Sequence, residues 1–257
     1  MTDPAATPDA PDARPALTVV VPAYDEAGTV GESLPRLHAE LERLDRPFEI
    51  LLVSDGSHDA TAGVAQALGL AHLRVEHYEP NRGKGYALRY GLSRATSPYV
   101  AFIDADLDIH PRSIGPLLAV VEAGDADVCV GSKVHPGSHI SYPPFRRVQS
   151  RVFRLLVRVA FGLDVADTQT GLKVFTRDVV TRCLPLVHTD GFAFDVELLV
   201  LANDAGFRIV EGPVELDFHF TSSTGARTVA DVLREMRAIW LRRRAARRSG
   251  AWVRPGA

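Results

Sequence analysis

Apolar positions along this chain follow two rhythms that take turns. Leu17-Thr18-Val19-Val20-Val21 is a β-branched run that reads as a buried strand, with Pro22 expected to stop it. Leu34, Leu37, Leu41 and Leu44 then recur at helical spacing on one face. Residues 48–53 form a second apolar run that leads into Ser54-Asp55-Gly56-Ser57, and Asp59 is placed to cap the next helix. Residues 73–75 give a third strand. Asn81-Arg82-Gly83-Lys84-Gly85 opens a helix running through Leu92, and residues 99–103 give a fourth strand. This alternation predicts an α/β fold, a mostly parallel central sheet flanked by helices. In such sheets ligands bind beyond the carboxyl ends of the strands, where each of these polar clusters falls.

The fourth strand changes character abruptly. Val100-Ala101-Phe102-Ile103 runs straight into Asp104-Ala105-Asp106-Leu107-Asp108, three carboxylates at alternating positions. Like charges that close repel, and a divalent cation relieves them. Oxygen ligands of this kind suit Mg²⁺ or Mn²⁺, which keep water and phosphate ligands beside one or two protein carboxylates. A solvated acidic turn ahead of Pro111 is the alternative reading.

Beyond this motif a helix is expected over 112–122, and a strand over 127–130 ends at Gly131-Ser132-Lys133. The Pro- and Gly-bearing segment 135–145 reads as a loop and lid. An amphipathic helix over 146–162 follows. Val148, Val152, Leu155 and Val159 share one side, and Arg147, Arg151, Arg154 and Arg158 form a second stripe. Strands at 172–175 and 208–216 flank a helix over 195–205. A last helix over 229–248 is dense in arginine, with Leu233, Met236, Ile239, Trp240 and Leu241 interleaved. Basic amphipathic helices with a Trp lie well on anionic lipid, although a solvated helix packed by its apolar side fits the same pattern.

Composition narrows the picture. With 257 residues, 46% hydrophobic and 24% charged, the chain can bury one large core. A formal net charge of −3 argues against nucleic acid as a partner. Cys129 and Cys183 make no disulfide framework and read as thiols of a reducing cytosol. No apolar run approaches the roughly 20 residues of a membrane span. Residues 1–15, with four prolines, are expected to be a disordered leader; 16–228 are expected to form the catalytic domain, and 229–257 the basic helix and tail. None of the nine histidines has metal-ligand spacing, and His110 alone stands beside the acidic motif.

Several side chains suit a nucleotide. Tyr24 offers a ring for stacking, and Asp25, Glu26 and Asp55 can accept hydrogen bonds, although Asp55 in Asp-Gly also makes an Asx turn. Lys84, between glycines at a helix start, suits phosphate oxygens. The spacing matches neither the phosphate-loop nor the dinucleotide fingerprint, so both of those classes fit poorly.

Val-Pro-Ala-Tyr-Asp-Glu from Val21, Val-Ser-Asp-Gly-Ser from Val53, Asn-Arg-Gly-Lys-Gly from Asn81 and Asp-Ala-Asp-Leu-Asp from Asp104, in that order, resemble glycosyltransferase family 2. The likeness runs from about Leu17 to Leu216. Within the family it is greatest to the polyprenyl-phosphate sugar synthases, the dolichyl-phosphate glucose and mannose synthases. Gly131-Ser132-Lys133, the stretch from Asp167 to Phe175, and Phe194-Asp195-Val196-Glu197-Leu198 carry it.

The resemblance implies the GT-A fold and inverting transfer of a hexose from a nucleotide diphospho-sugar to a polyprenyl phosphate. UDP-glucose is the favoured donor and GDP-mannose the next. It implies that Pro22, Tyr24, Glu26 and Asp55 hold the nucleoside, with Lys84, Asp104, Asp106 and Arg227 about the diphosphate. Asp106 would be the chief metal ligand and Asp108 a second. Lys133, Arg146, Arg147, Ser150, Gln169 and Lys173 would meet the acceptor, with Lys133, Arg146 and Ser150 beside the reacting phosphate. The family often has aspartate where Ser54 stands, glutamine at Asp108 and arginine at Lys133. A phosphate acceptor needs no strong base, whereas a sugar hydroxyl would, with Asp167, Asp195 and Glu197 as candidates. Asp195 and Glu197 are equally explained as residues favoured by a helix N-terminus. The expected place of work is the inner face of the cell membrane, held peripherally through the basic helices. A soluble acceptor and a non-catalytic nucleotide-sugar-binding protein are the rival readings.

Overall fold

The computed structural model describes residues 14–138, 144–216 and 226–249, with side chains for all of these except 144–152 and 226–229. Its centre is a seven-stranded sheet. The strands are β1 (Leu17–Ala23), β2 (Phe48–Asp55), β3 (Leu73–Tyr78), β4 (Tyr99–Ile103), β5 (Val128–Ser132), β6 (Leu172–Thr176) and β7 (Ile209–Pro213), in the order β3-β2-β1-β4-β6-β5-β7. Neighbours are parallel except at β6, which runs antiparallel to both β4 and β5. The chain is therefore α/β with a mostly parallel sheet.

Strand periodicity sorts the core into two layers. Val19, Val21, Ile50 and Leu52 face a cluster closed by α1 (Ala27–Glu42) and α4 (Ile114–Glu122). Val20, Leu51, Val53, Val100 and Phe102 face the other side. There α3 (Lys84–Arg94), α5 (Pro144–Phe161), α6 (Arg177–Cys183), α7 (Phe194–Asp204) and α8 (Ala226–Ser249) supply the cover. A short α2 (Thr61–Ala67) links β2 to β3.

Four local expectations need correction. Pro22 does not end β1, which continues to Ala23 against Ser54. The pairing with β4 stops at Val20↔Phe102, so Pro22 stands where that edge needs no donor. Leu44 falls beyond α1, whose buried face is Val30, Leu34, Leu37, His38 and Leu41. On α5, Val157 and Phe161 turn to the core, while Leu155 and Val159 of the expected apolar stripe are exposed. The N-cap of α2 is Ala60 and not Asp59, which stands one residue earlier: its Oδ1 accepts from the Thr61 N–H, and its Oδ2 accepts from the Ala27 N–H at the start of α1.

Candidate active site

β1, β2 and β4 all run toward one edge, and their ends carry the polar clusters. After β1, Tyr24 is 43% exposed and its hydroxyl lies 3.3 Å from His58 Nδ1. Asp25, at φ +53°, accepts from the His58 N–H at 2.7 Å and so laces this turn to the one after β2. The Glu26 N–H donates to Thr61 Oγ1, which leaves the Glu26 carboxylate, half-buried, at the same edge.

Asp55 is only 2% exposed. Its two oxygens accept from the N–H groups of Arg82 and Gly83, each at 2.8 Å, and from Asn81 Nδ2 at 3.2 Å. The Asp55 carboxylate thus builds the turn that delivers Lys84, by satisfying backbone donors that would otherwise be orphaned. Ser54, where the family often has an acid, bonds to Ser57 and His77.

Lys84 is the first residue of α3, and its Nζ lies 2.6 Å from Asp104 Oδ1. Burial alone would lower the Lys84 pKa, but the carboxylates of Asp104, Asp195 and Asp106 outweigh it and hold the ammonium above its ordinary value. The acids do not alternate along an extended strand. β4 ends at Ile103, and a tight turn follows in which the Leu107 N–H donates to the Asp104 carbonyl with Leu107 at φ +49°. Ala105 and Leu107 are buried, and that is what turns Asp106 outward. Partial desolvation and then the Asp104 charge raise the Asp106 pKa, against the opposing pull of Lys84 and Lys133. Lys133 is therefore within the electrostatic reach of the motif. The wall behind Asp104 is Gly171, whose carbonyl accepts from the Asp104 N–H at 3.2 Å. A Cβ at Gly171 would collide with the Asp104 carboxylate.

Below this surface the expected acceptor residues separate. Lys133, after β5, is half-buried and its N–H donates to Asp167 Oδ2. Gln169 is exposed. Lys173 is fully buried, so no acceptor can reach it: Nζ donates to the Thr170 carbonyl at 2.7 Å and pairs with Asp195 Oδ2 at 3.4 Å. Burial lowers the Lys173 pKa and raises that of Asp195, and the attraction between them opposes both shifts. Glu197 Oε2 accepts from the His188 and Thr189 N–H groups, and Oε1 accepts from Arg242. His110 caps the short 3₁₀ turn Pro111–Ser113 by accepting from the Arg112 N–H. The side chains of Arg146, Arg147, Ser150 and Arg227 lie outside the described residues.

Among the described residues no group of three or more His, Cys, Asp or Glu side chains could hold a metal ion by itself. The donors expected from sequence are two carboxylates on one turn, Asp106 and Asp108, beside a lysine-paired Asp104. That set fits a hard cation which takes most of its ligands from water and phosphate.

The Glycosyl transferase family 2 model matches residues 18–184. The chain belongs to glycosyltransferase family 2. It is 32% identical over 222 residues to the glycosyltransferase AglD of Haloferax volcanii, covering 84% of this chain and 35% of that protein. It is 32% identical to the dolichyl-phosphate beta-glucosyltransferase of Drosophila melanogaster, over 73% of this chain and 63% of that one. It is also 32% identical to the polyprenol monophosphomannose synthase of Mycolicibacterium smegmatis, covering 76% and 75%. The chain thus spans about a third of the length of the first of these relatives and under two thirds of the second. The glucosyl-3-phosphoglycerate synthase of Mycobacterium tuberculosis, solved with Mn²⁺, UDP-glucose and phosphoglyceric acid, superposes with a TM-score of 0.69 at 22% identity. That match covers 90% of this chain and 80% of that one, and makes the fold GT-A.

Gly171 and Glu211 were not singled out from sequence. Glu211 accepts from the N–H groups of Ala166 and Asp167 and so shapes the turn that meets Lys133. Its only signal was an acid inside a strand pattern.

Proposed function

We propose that this family 2 chain is a glycosyltransferase that moves a hexose, glucose before mannose, from a nucleotide diphospho-sugar to a polyprenyl phosphate with inversion. The observation that carries this is the Lys84–Asp104 pair at the sheet edge with Asp106 two residues on and Lys133 within its field. Tyr24, Glu26 and Pro22 would border the nucleoside, with Asp55 acting through the turn it builds. Lys84, joined by Arg227, would face the diphosphate. A Mg²⁺ or Mn²⁺ ion held by Asp106 and Asp108 would supply Lewis-acid stabilisation of the leaving diphosphate. Lys84 and Lys133 both set positive charge within reach of Asp106, where the donor and acceptor phosphates would otherwise repel.

The state of the candidate bases supports a phosphate acceptor. Glu197 is committed to backbone donors and Arg242, Asp195 is buried against Lys173, and Asp167 accepts from the Lys133 N–H. A phosphate monoester is already anionic near neutral pH and does without them. Lys133, Gln169 and the first two turns of α5, which carry Arg146, Arg147 and Ser150, would then surround the acceptor.

A lipid acceptor is further supported by the outer faces of α5 and α8. Leu155, Leu156, Val159, Leu233, Trp240 and Leu241 are all exposed there, and Arg244 lies over the Trp240 ring. No helix among the described residues is long and apolar enough to cross a membrane. An anionic membrane surface is the partner this face suits, with the inner face of the cell membrane as the site of work.

The test is nucleotide release from UDP- and GDP-sugars with Mg²⁺ or Mn²⁺, with and without a short polyprenyl phosphate, followed by lipid extraction. A labelled lipid from one donor is the expected result and names the sugar. Release with a soluble acceptor and no lipid product from any donor would overturn the lipid assignment. Donor binding without turnover would support a binding protein instead.

A further inference from the structure

The segment 187–193 stands between the C-terminal helix and the turn that carries Lys84. On the α8 side, Glu235 accepts from the Ala193 N–H at 2.8 Å and lies so close to Gly191 that a Cβ there would strike its carboxylate. Arg242 donates to Thr189 Oγ1 at 3.2 Å and to Glu197 Oε1 at 2.7 Å, and Glu197 in turn accepts from the His188 and Thr189 N–H groups. On the opposite side, the Asp190 carbonyl accepts from the Tyr86 N–H at 3.1 Å. Arg89 donates to Asp190 Oδ1 at 2.5 Å and to the Val187 carbonyl at 3.0 Å.

The packing between segment and turn leaves no room for a side chain. A Cβ at Gly83, which sits at φ +98°, would lie 2.6 Å from the Asp190 carbonyl oxygen. One at Gly85 would lie 2.6 Å from that of Gly191. Lys84 lies between these two glycines with its ammonium on Asp104. Any outward movement of 190–191 would therefore release the backbone from which Lys84 projects.

We infer that Glu235 and Arg242 are positioning residues for the donor site, acting through the 187–193 segment on Gly83-Lys84-Gly85. The inference rests on the reading that Lys84 faces the donor diphosphate. It makes the arginine-rich helix part of the donor site's frame as well as an outer surface. The chain of contacts is continuous: Glu235 to Ala193, then Asp190 and Gly191 to Gly83 and Gly85, then Lys84 to Asp104.

The test measures the affinity of the full chain for UDP and GDP with Mn²⁺, corrected for folded fraction, beside the thermal midpoint. Glu235→Ala should weaken the preferred nucleotide about tenfold, the loss expected of one charge-assisted hydrogen bond. Glu235→Gln keeps an acceptor for the Ala193 N–H and should recover most of that loss. Arg234→Ala, which removes an exposed partner of Asp231 on the same helix, should change nothing. Should Glu235→Ala fail to fold, Asp190→Asn, whose side chain is 44% exposed, carries the test and should weaken binding by loosening the Arg89 tie.

Wild-type affinity in Glu235→Ala or Asp190→Asn, even with a lowered midpoint, would overturn the positioning role alone. Equal losses for Ala and Gln at Glu235 would overturn the hydrogen-bond account. Wild type that binds neither nucleotide would overturn the donor reading and the positioning role together.

Discussion

The strands β3-β2-β1-β4 and the strands β6-β5-β7 serve the same edge of one sheet, but they are supplied with site residues in different ways. In the first group each parallel strand ends in the residues that matter, so Tyr24, Asp55 and Asp104 arrive directly as the chain leaves the sheet. In the second group β6 runs the other way and presents its start to that edge, so Gly171 meets Asp104 from the opposite direction. The support there is assembled from distant pieces: Asp167 on Lys133, Glu211 on Asp167, Asp195 on Lys173, and Glu235 on Ala193. The first group holds its polar groups by carboxylates that accept from the turns after neighbouring strands, as Asp25 does from His58 and Asp55 from Arg82 and Gly83. The second adds an ion pair sealed below the surface, Lys173 with Asp195.

That contrast is most sharply tested at its buried charges. Lys173→Met leaves Asp195 buried without its cation and should cost about 3–5 kcal/mol in urea unfolding. The double variant Lys173→Met with Asp195→Leu should recover much of this. If the single variant is as stable as wild type, the far group does not depend on buried pairing. Lys84→Ala comes next. Loss of the cation on Asp104 should lower nucleotide release by roughly a hundredfold or more while unfolding stability changes far less.

Gly171→Ala joins the two groups at their contact. The added methyl must displace Asp104, and turnover should drop about tenfold or more, with at most a few kcal/mol lost in stability. Unchanged turnover would mean that Asp104 tolerates a new position.

The smallest effect concerns the thiols. Burial pushes Cys129 and Cys183 from 9.0 up to about 12. A folded-state pKa raised in this way contributes stability that is complete below the unfolded value and fades as pH climbs from about 9 toward 12. At pH 8 a thiol reagent should label neither cysteine in the native chain and both after denaturation. Rapid native labelling of one would place its strand or helix in a less protected group.

Much of the parallel group was legible beforehand because its signals are local. Residues 99–103 are a strand by composition, Asp104-Ala105-Asp106 is a chemical anomaly at its end, and Gly-Lys-Gly at a helix start suits phosphate oxygens. The amphipathic helices were less so. Periodicity put Leu155 and Val159 on one apolar side of α5, yet the core takes Val157 and Phe161, because the face that is buried depends on what packs against it. A helix over Arg177–Cys183 went unread, since seven residues give two turns of period and no more.

By itself the sequence determined the α/β alternation, the two-sided core of the parallel strands, and the order in which the acidic, lysine and aromatic groups meet the sheet edge. These follow from side-chain period and turn chemistry acting over a few residues. Only the tertiary structure decided that β6 would reverse, that Lys173 would be sealed under the site rather than open to an acceptor, and that Asp55 would spend its oxygens on the Lys84 turn. Each of those outcomes is a competition for partners between segments far apart in the chain. Burial makes an unpaired charge or donor costly, and which distant group satisfies it is settled only when the layers close.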